Sequence, residues 1–96
     1  MRVTIKFYGI FRGVLGKNKF VFEIKNEDTV SLRELVNKMT DDIPKINKVL
    51  IDPELEDPRP NALILVNGKE ISVLNGLETL IKDGDEVVFI SILHAG

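Results

Sequence analysis

Strand-like patterns at both ends of the chain, separated by one capped helical pattern, limit the folds open to these 96 residues more than any other feature. In residues 2–8, Val3, Ile5 and Phe7 share one face and Arg2, Thr4 and Lys6 the other, which predicts a half-buried strand. Gly9, Gly13 and Gly16 then read as a turn or loop. Beyond them Phe20, Phe22 and Ile24 alternate with Lys19, Val21, Glu23 and Lys25, so residues 2–25 form a hairpin with a long connection. Ser31 and Glu34 fit a capping box, in which hydroxyl and carboxylate satisfy two orphan backbone donors, and Val30 and Leu35 stand at staple spacing. The helix that begins there carries Leu32, Leu35, Val36 and Met39 as one stripe and stops before Pro44.

A weak helical turn is expected over residues 43–50, then an exposed loop over 52–60, which holds three prolines and four acids. Residues 62–66 are continuously apolar, as in a strand buried on both faces, and Asn67-Gly68 predicts a tight turn. A short strand over 70–73 follows, and Leu74, Leu77, Leu80 and Ile81 supply core contacts. Asp83-Gly84 turns into a last strand, residues 86–93. A helix between two hairpin-like halves lets the first and last strands meet in parallel at the sheet centre with the helix across it. The expected class is therefore α+β, a β-grasp with a mixed sheet of four to five strands.

Composition narrows the function. Fifteen acids against thirteen basic residues give a net charge of −2, without the basic surplus that phosphate neutralisation demands, so no direct nucleic-acid ligand is expected. No apolar run approaches the eighteen or so residues of a spanning helix, and charges at Arg2, Lys6, Arg12, Lys17 and Lys19 interrupt any signal-peptide core. A cytoplasmic chain off the membrane is expected, folded as one domain over residues 1–96 with 93–96 as a flexible tail. Zero cysteines and one histidine leave no thiolate, no disulfide and no ready metal site. The acids Asp52, Glu54, Glu56 and Asp57, interrupted by prolines, have no fixed convergence and read as a solvated loop. A chain of this length buries roughly 60 to 65% of its unfolded surface, enough for one core but not for a large cleft, which favours a carrier, binding module or accessory subunit over an enzyme.

The segments Tyr8-Gly-Ile-Phe-Arg-Gly-Val-Leu-Gly16, Val66-Asn-Gly68 and Asp83-Gly-Asp-Glu-Val-Val-Phe-Ile90 together resemble the ubiquitin-like sulfur carriers, a group that includes the small subunit of molybdopterin synthase. The stretch from Arg59-Pro60 through Leu74-Asn-Gly-Leu77 to Val88-Phe-Ile-Ser-Ile-Leu-His-Ala-Gly96 resembles the ubiquitin-related modifier family, whose members end in Leu-His-Gly-Gly. That resemblance implies a protein substrate rather than an enzyme. A ubiquitin-activating-type adenylating enzyme would use ATP to activate the carboxyl of Gly96, the chain itself binding no cofactor. The product would become a thiocarboxylate, with a sulfurtransferase and a tRNA-thiolation enzyme as partners, or would pass to lysines of target proteins. In the molybdopterin synthase reading the tail would instead enter a large catalytic subunit.

Under the same resemblance Leu93, His94 and Ala95 present the tail to the partner, Val87 and Phe89 face the core, and Val88, Ile90 and Ile92 form a partly exposed docking patch. Alternation alone leaves the facing of this strand open, and the 52–60 loop could instead cover that patch as a second small core. Ala95 departs from the family's Gly-Gly. Its methyl is tolerated, or the sequence is altered or lacks a residue there, or the chain is a member that is not activated.

Overall fold

A computed structural model describes residues 1–92. β1 (Arg2–Tyr8) is the strand its alternation requires, with Val3, Ile5 and Phe7 fully buried. It pairs antiparallel with β2 (Lys19–Glu23), Ile5 opposite Phe20, and in parallel with the last strand, β7 (Glu86–Ser91), Phe7 opposite Phe89. On the far side of β7 lies β4 (Ala62–Val66), antiparallel, with Ile64 opposite Phe89; it returns through Asn67-Gly68 into β5 (Lys69–Glu70). The sheet order β2-β1-β7-β4-β5 places the parallel pair at the centre, which is the expected ubiquitin-like β-grasp. Asn67 (φ 50°) and Gly68 (φ 82°) both take the left-handed conformation that a tight two-residue hairpin turn needs. The Asn67 amide donates to the buried Asp85 carboxylate at 3.0 Å and accepts from the Glu86 N–H at 2.9 Å, tying this hairpin to the start of β7.

The main helix, α2 (Leu32–Asp42), begins at the predicted capping box. Ser31 Oγ accepts from the Glu34 N–H at 3.1 Å, and Glu34 Oε1 accepts from the Ser31 N–H at 3.3 Å. Leu32, Leu35, Val36 and Met39 are all buried and join the core of β1, β4 and β7, so the stripe read from the sequence is the packing face. α3 (Pro44–Leu50) adds Ile46 and Leu50, and Phe89 stacks on Phe7 with ring centres 5.4 Å apart.

Several expectations need correction. Residues 10–15 are not a loop but a short helix, α1 (Ile10–Leu15), closed by Gly16 at φ 77°, whose N–H donates to the Arg12 carbonyl at 2.9 Å. Burial of Phe11, edge-on to Phe7 at 6.2 Å, offsets the roughly 1 kcal/mol that Gly13 costs inside a helix. A second, two-stranded sheet pairs β3 (Thr29–Ser31) with β6 (Leu80–Lys82). Each has three residues, too few for a periodic signal. Leu77 and Ile81 are buried as expected, but Leu74 is 39% and Leu80 65% exposed. The 70–73 strand ends at Glu70, because the Glu70 carboxylate accepts from the Ser72 N–H at 2.6 Å and turns residues Ile71–Val73 into a 3-10 helix. β4 is not buried on both faces, since Leu63 is 40% exposed on the side away from the helices. β7 ends at Ser91, with Ile92 following as the last described residue.

Candidate functional site

The outer face of the sheet is set by register. Ile90 lies between Tyr8 of β1 and Leu63 of β4, and Val88 lies between Lys6 and Leu65. Val87 and Phe89 are fully buried on the inner face, so the facing adopted for β7 holds. Tyr8, Leu63 and Ile92 are 38%, 40% and 51% exposed, and Ile90 is half-buried. An apolar row therefore crosses three strands at the end of the sheet from which residues 93–96 continue. Val88 is only 9% exposed, more covered than a member of an open patch. Its neighbours Lys6 and Leu65 flank it, and Lys6 bonds Glu86 at 3.0 Å across the adjoining rung. That bond and the Glu86 charge raise the Lys6 pKa, so the ammonium stays charged at the border of the apolar row.

Ile92 is held by its N–H, which donates to the Asn61 carbonyl at 3.2 Å, while the Asn61 amide donates to the Leu50 carbonyl at the end of α3, also at 3.2 Å. Beside Ile92 opens a cleft of about 260 Å³ lined by Leu63, Ile71 and Gly76, with Arg59 among the residues around it. Arg59 donates to Asp57, and this hydrogen bond, aided by the guanidinium charge, holds the Asp57 carboxyl below its usual range.

The 52–60 loop does not cover the apolar row. Pro53, Glu56 and Pro58 instead bound a cavity of about 640 Å³ with Val36, Asn37 and Thr40 of α2. Glu54 and Glu56 are exposed, but Asp52 and Asp57 are half-buried, and each is used locally: Asp52 accepts from the N–H groups of Glu54 and Leu55 at 3.0 and 2.9 Å, and Asp57 pairs with Arg59. Among the described residues no group of three or more histidine, cysteine, aspartate or glutamate side chains could hold a metal ion, and no helix is long and apolar enough to cross a membrane.

Of the site residues expected from the sequence, Ile90 and Ile92 lie together on the outer face and Val88 sits beneath its neighbours. Leu93, His94, Ala95 and Gly96 lie outside the described residues. Sequence reasoning missed Tyr8, Leu63 and Leu65. The signal was present, because an antiparallel strand in a sheet with one helical layer must turn half of a continuous apolar run outward.

A family model described as Urm1 (Ubiquitin related modifier) matches residues 2–96. The chain belongs to the ubiquitin-related modifier family. This is a family of ubiquitin-like modifiers and sulfur carriers, and the chain is similar along its whole length to the ubiquitin-related modifier 1 homolog of Dictyostelium discoideum, 28% identical over 97 residues with 100% of both chains covered. The solution structure of Urm1 from Trypanosoma brucei superposes on this family member with a TM-score of 0.75 at 26% identity, covering 99% of this chain and 95% of that one. The protein-protein complex of subunits 1 and 2 of the molybdopterin-converting factor from Helicobacter pylori 26695 holds a chain of the same fold, with a TM-score of 0.62, 19% identity and 100% of both chains covered.

Proposed function

We propose that this ubiquitin-related modifier is activated at the carboxyl of Gly96 by an adenylating enzyme of the ubiquitin-activating type, and that it then carries sulfur as a thiocarboxylate, is joined to lysines, or both. The observation that carries the reading is the apolar row of Tyr8, Ile90 and Leu63, which leads to Ile92, the residue that follows β7 four positions before Gly96. An exposed apolar face contributes to association rather than to the core.

The chain is a protein substrate and holds no cofactor; ATP belongs to the partner. A carboxylate oxygen of Gly96 attacks the α-phosphorus of ATP, pyrophosphate leaves, and the acyl adenylate loses AMP to the next nucleophile. A lysine amine at that step gives an amide. A persulfide from a sulfurtransferase gives an acyl disulfide, which a second thiol reduces to the thiocarboxylate, the sulfur then serving tRNA thiolation. Glycine at the end suits this path because the missing Cβ lets a narrow channel grip the backbone and leaves the carboxyl carbon open to attack. The structural likeness to the chain in the Helicobacter pylori complex supports a second reading, insertion of the same tail into a molybdopterin synthase large subunit.

The test is exchange of labelled pyrophosphate into ATP with the adenylating enzyme and three proteins: the parent, a Gly96 deletion and Ala95→Gly. Deletion draws the carboxyl back about 3.5 Å along an extended chain. Misplacement of about 1 Å can cost roughly a hundredfold in rate, so exchange should fall below detection while docking survives. Equal exchange with the deletion refutes activation at Gly96. Exchange only with Ala95→Gly marks the chain as an inactive member, and tight binding to a molybdopterin synthase large subunit without exchange selects the second reading.

A further inference from the structure

We infer that β2 is a self-pairing surface: two copies of this chain join antiparallel along it, about a two-fold axis at Val21, into one continuous sheet. β2 is the outermost strand in the order β2-β1-β7-β4-β5, so one of its edges has no neighbour. Alternation sorts its backbone groups. The Met1 amino group donates to the Ile24 carbonyl at 2.6 Å, the Ile24 N–H to the Met1 carbonyl at 2.8 Å, and the Phe7 N–H to the Asn18 carbonyl at 2.8 Å. Antiparallel ladders bond in steps of two, so Phe20 and Phe22 face β1, while Lys19, Val21 and Glu23 turn N–H and C=O to the open edge.

The side chains select the occupant and the register. Lys19, Val21 and Glu23 share the outer face, and Val21 is 53% exposed. Pairing about Lys19 would set two ammonium groups opposite each other, and pairing about Glu23 two carboxylates. Pairing about Val21 sets Lys19 of each copy opposite Glu23 of the other, Val21 opposite Val21, and half-buried Phe20 opposite half-buried Phe22. Both charges are open to this use. Among the described residues Lys19 has no ion-pair partner, and its neighbour across β1 is Lys6. Glu23 holds Arg2 through Oε1 alone, at 2.7 and 2.8 Å, which leaves Oε2 for a second cation. The ladder stops at five residues, since Lys17 sits over its own Phe20 ring at 4.3 Å and Lys25 runs into the turn at Asn26, φ 65°. The opposite end of the sheet is the two-residue β5, too short to extend the assembly beyond a dimer. A two-fold axis perpendicular to the sheet keeps both outer faces on one side, so each copy's row of Tyr8, Ile90 and Leu63 stays uncovered.

Self-pairing rests on neither the tail nor its activation, and the full chain alone tests it. Sedimentation equilibrium over about 0.01 to 2 mM should show a monomer–dimer equilibrium with a dissociation constant of about 0.01 to 1 mM, the weak association expected of a short ladder. Lys19→Glu and Glu23→Lys each set like charges opposite and should each raise that constant about tenfold or more. Their equimolar mixture makes every cross-pair opposite again and should form a heterodimer within about threefold of the parent's constant. In the parent, exchange of the Lys19, Val21 and Glu23 amides should slow about twofold or more from dilute to concentrated samples, with the Phe20 and Phe22 amides unchanged. A chain monomeric throughout overturns the inference, as does a dimer whose constant the charge variants leave unchanged or whose loss the mixture does not repair. A dimer abolished by Ile90→Asp, with the three β2 amides unprotected, assigns self-association to the docking row and overturns it equally. If a charge variant fails to fold, the parent's three amides decide.

Discussion

Replacing Phe89 by alanine tests the facing on which the docking row depends. Phe89 is fully buried on the central strand, stacked on Phe7 at 5.4 Å and opposite Ile64. A buried Phe→Ala change costs about 3 to 5 kcal/mol, the sum of lost transfer energy and the cavity left behind. The parallel pair at the sheet centre and the buried Ile64 on the opposite strand limit collapse into that space, which argues for the upper part of the range. Scaled at about 0.05 to 0.15 kcal/mol per residue, a domain of this size has roughly 5 to 14 kcal/mol in all, so about a fifth of it or more should go. Thermal unfolding followed by circular dichroism should show a midpoint lowered by about 12 to 40 °C, and urea unfolding should show a lower midpoint with unchanged slope. Ile92→Ala, at a residue 51% exposed, is the control and should stay within about 1 kcal/mol of the parent. A loss below about 1 kcal/mol for Phe89→Ala would mean that Phe89 is not a core residue, and Val88 and Ile90 would then be the inward pair.

Ile90→Asp should weaken association with the adenylating enzyme about 10- to 100-fold in titration calorimetry while leaving the fold in place, and an unfolded variant would show that Ile90 belongs to the core. Asp57→Asn should lower stability at neutral pH by less than about 1 kcal/mol, because the pair with Arg59 is partly exposed and screened. Since that hydrogen bond holds the Asp57 pKa down, its stabilisation is present above the unfolded value near 3.9 and is lost as pH falls through the lower folded value. Urea midpoints of parent and variant should therefore converge in strong acid, and a gap that persists there would rule out the ion pair as its source.

The parts legible in the sequence are those where one local device acts alone. The Ser31–Glu34 box needs only four residues to announce a helix start, and the stripe Leu32, Leu35, Val36, Met39 needs only the helix itself to define a face. α1 was illegible because its cause is tertiary: glycines at 9, 13 and 16 argue for a loop, and burial of Phe11 in the core it shares with α3 and β7 overrides them. β3 and β6 are held by each other across some fifty residues of sequence, with Val30 opposite Ile81, so neither three-residue segment carries a signal of its own.

The candidate site was legible by half for a related reason. β7 is apolar on both faces, and its own alternation gives no reason to bury Phe89 rather than Ile90. The helices on one side of the sheet break that symmetry, burying Val87 and Phe89 and leaving Ile90 between Tyr8 and Leu63 on the other side. Leaving Ile90 half-buried and Leu63 and Ile92 exposed forgoes part of the roughly 1.5 to 3 kcal/mol that full burial of each would contribute. With the 52–60 loop turned toward α2 instead of over this face, that unburied area remains available for association. The same feature that blurs the facing of β7 in the sequence thus gives the folded chain the surface by which a partner can hold it.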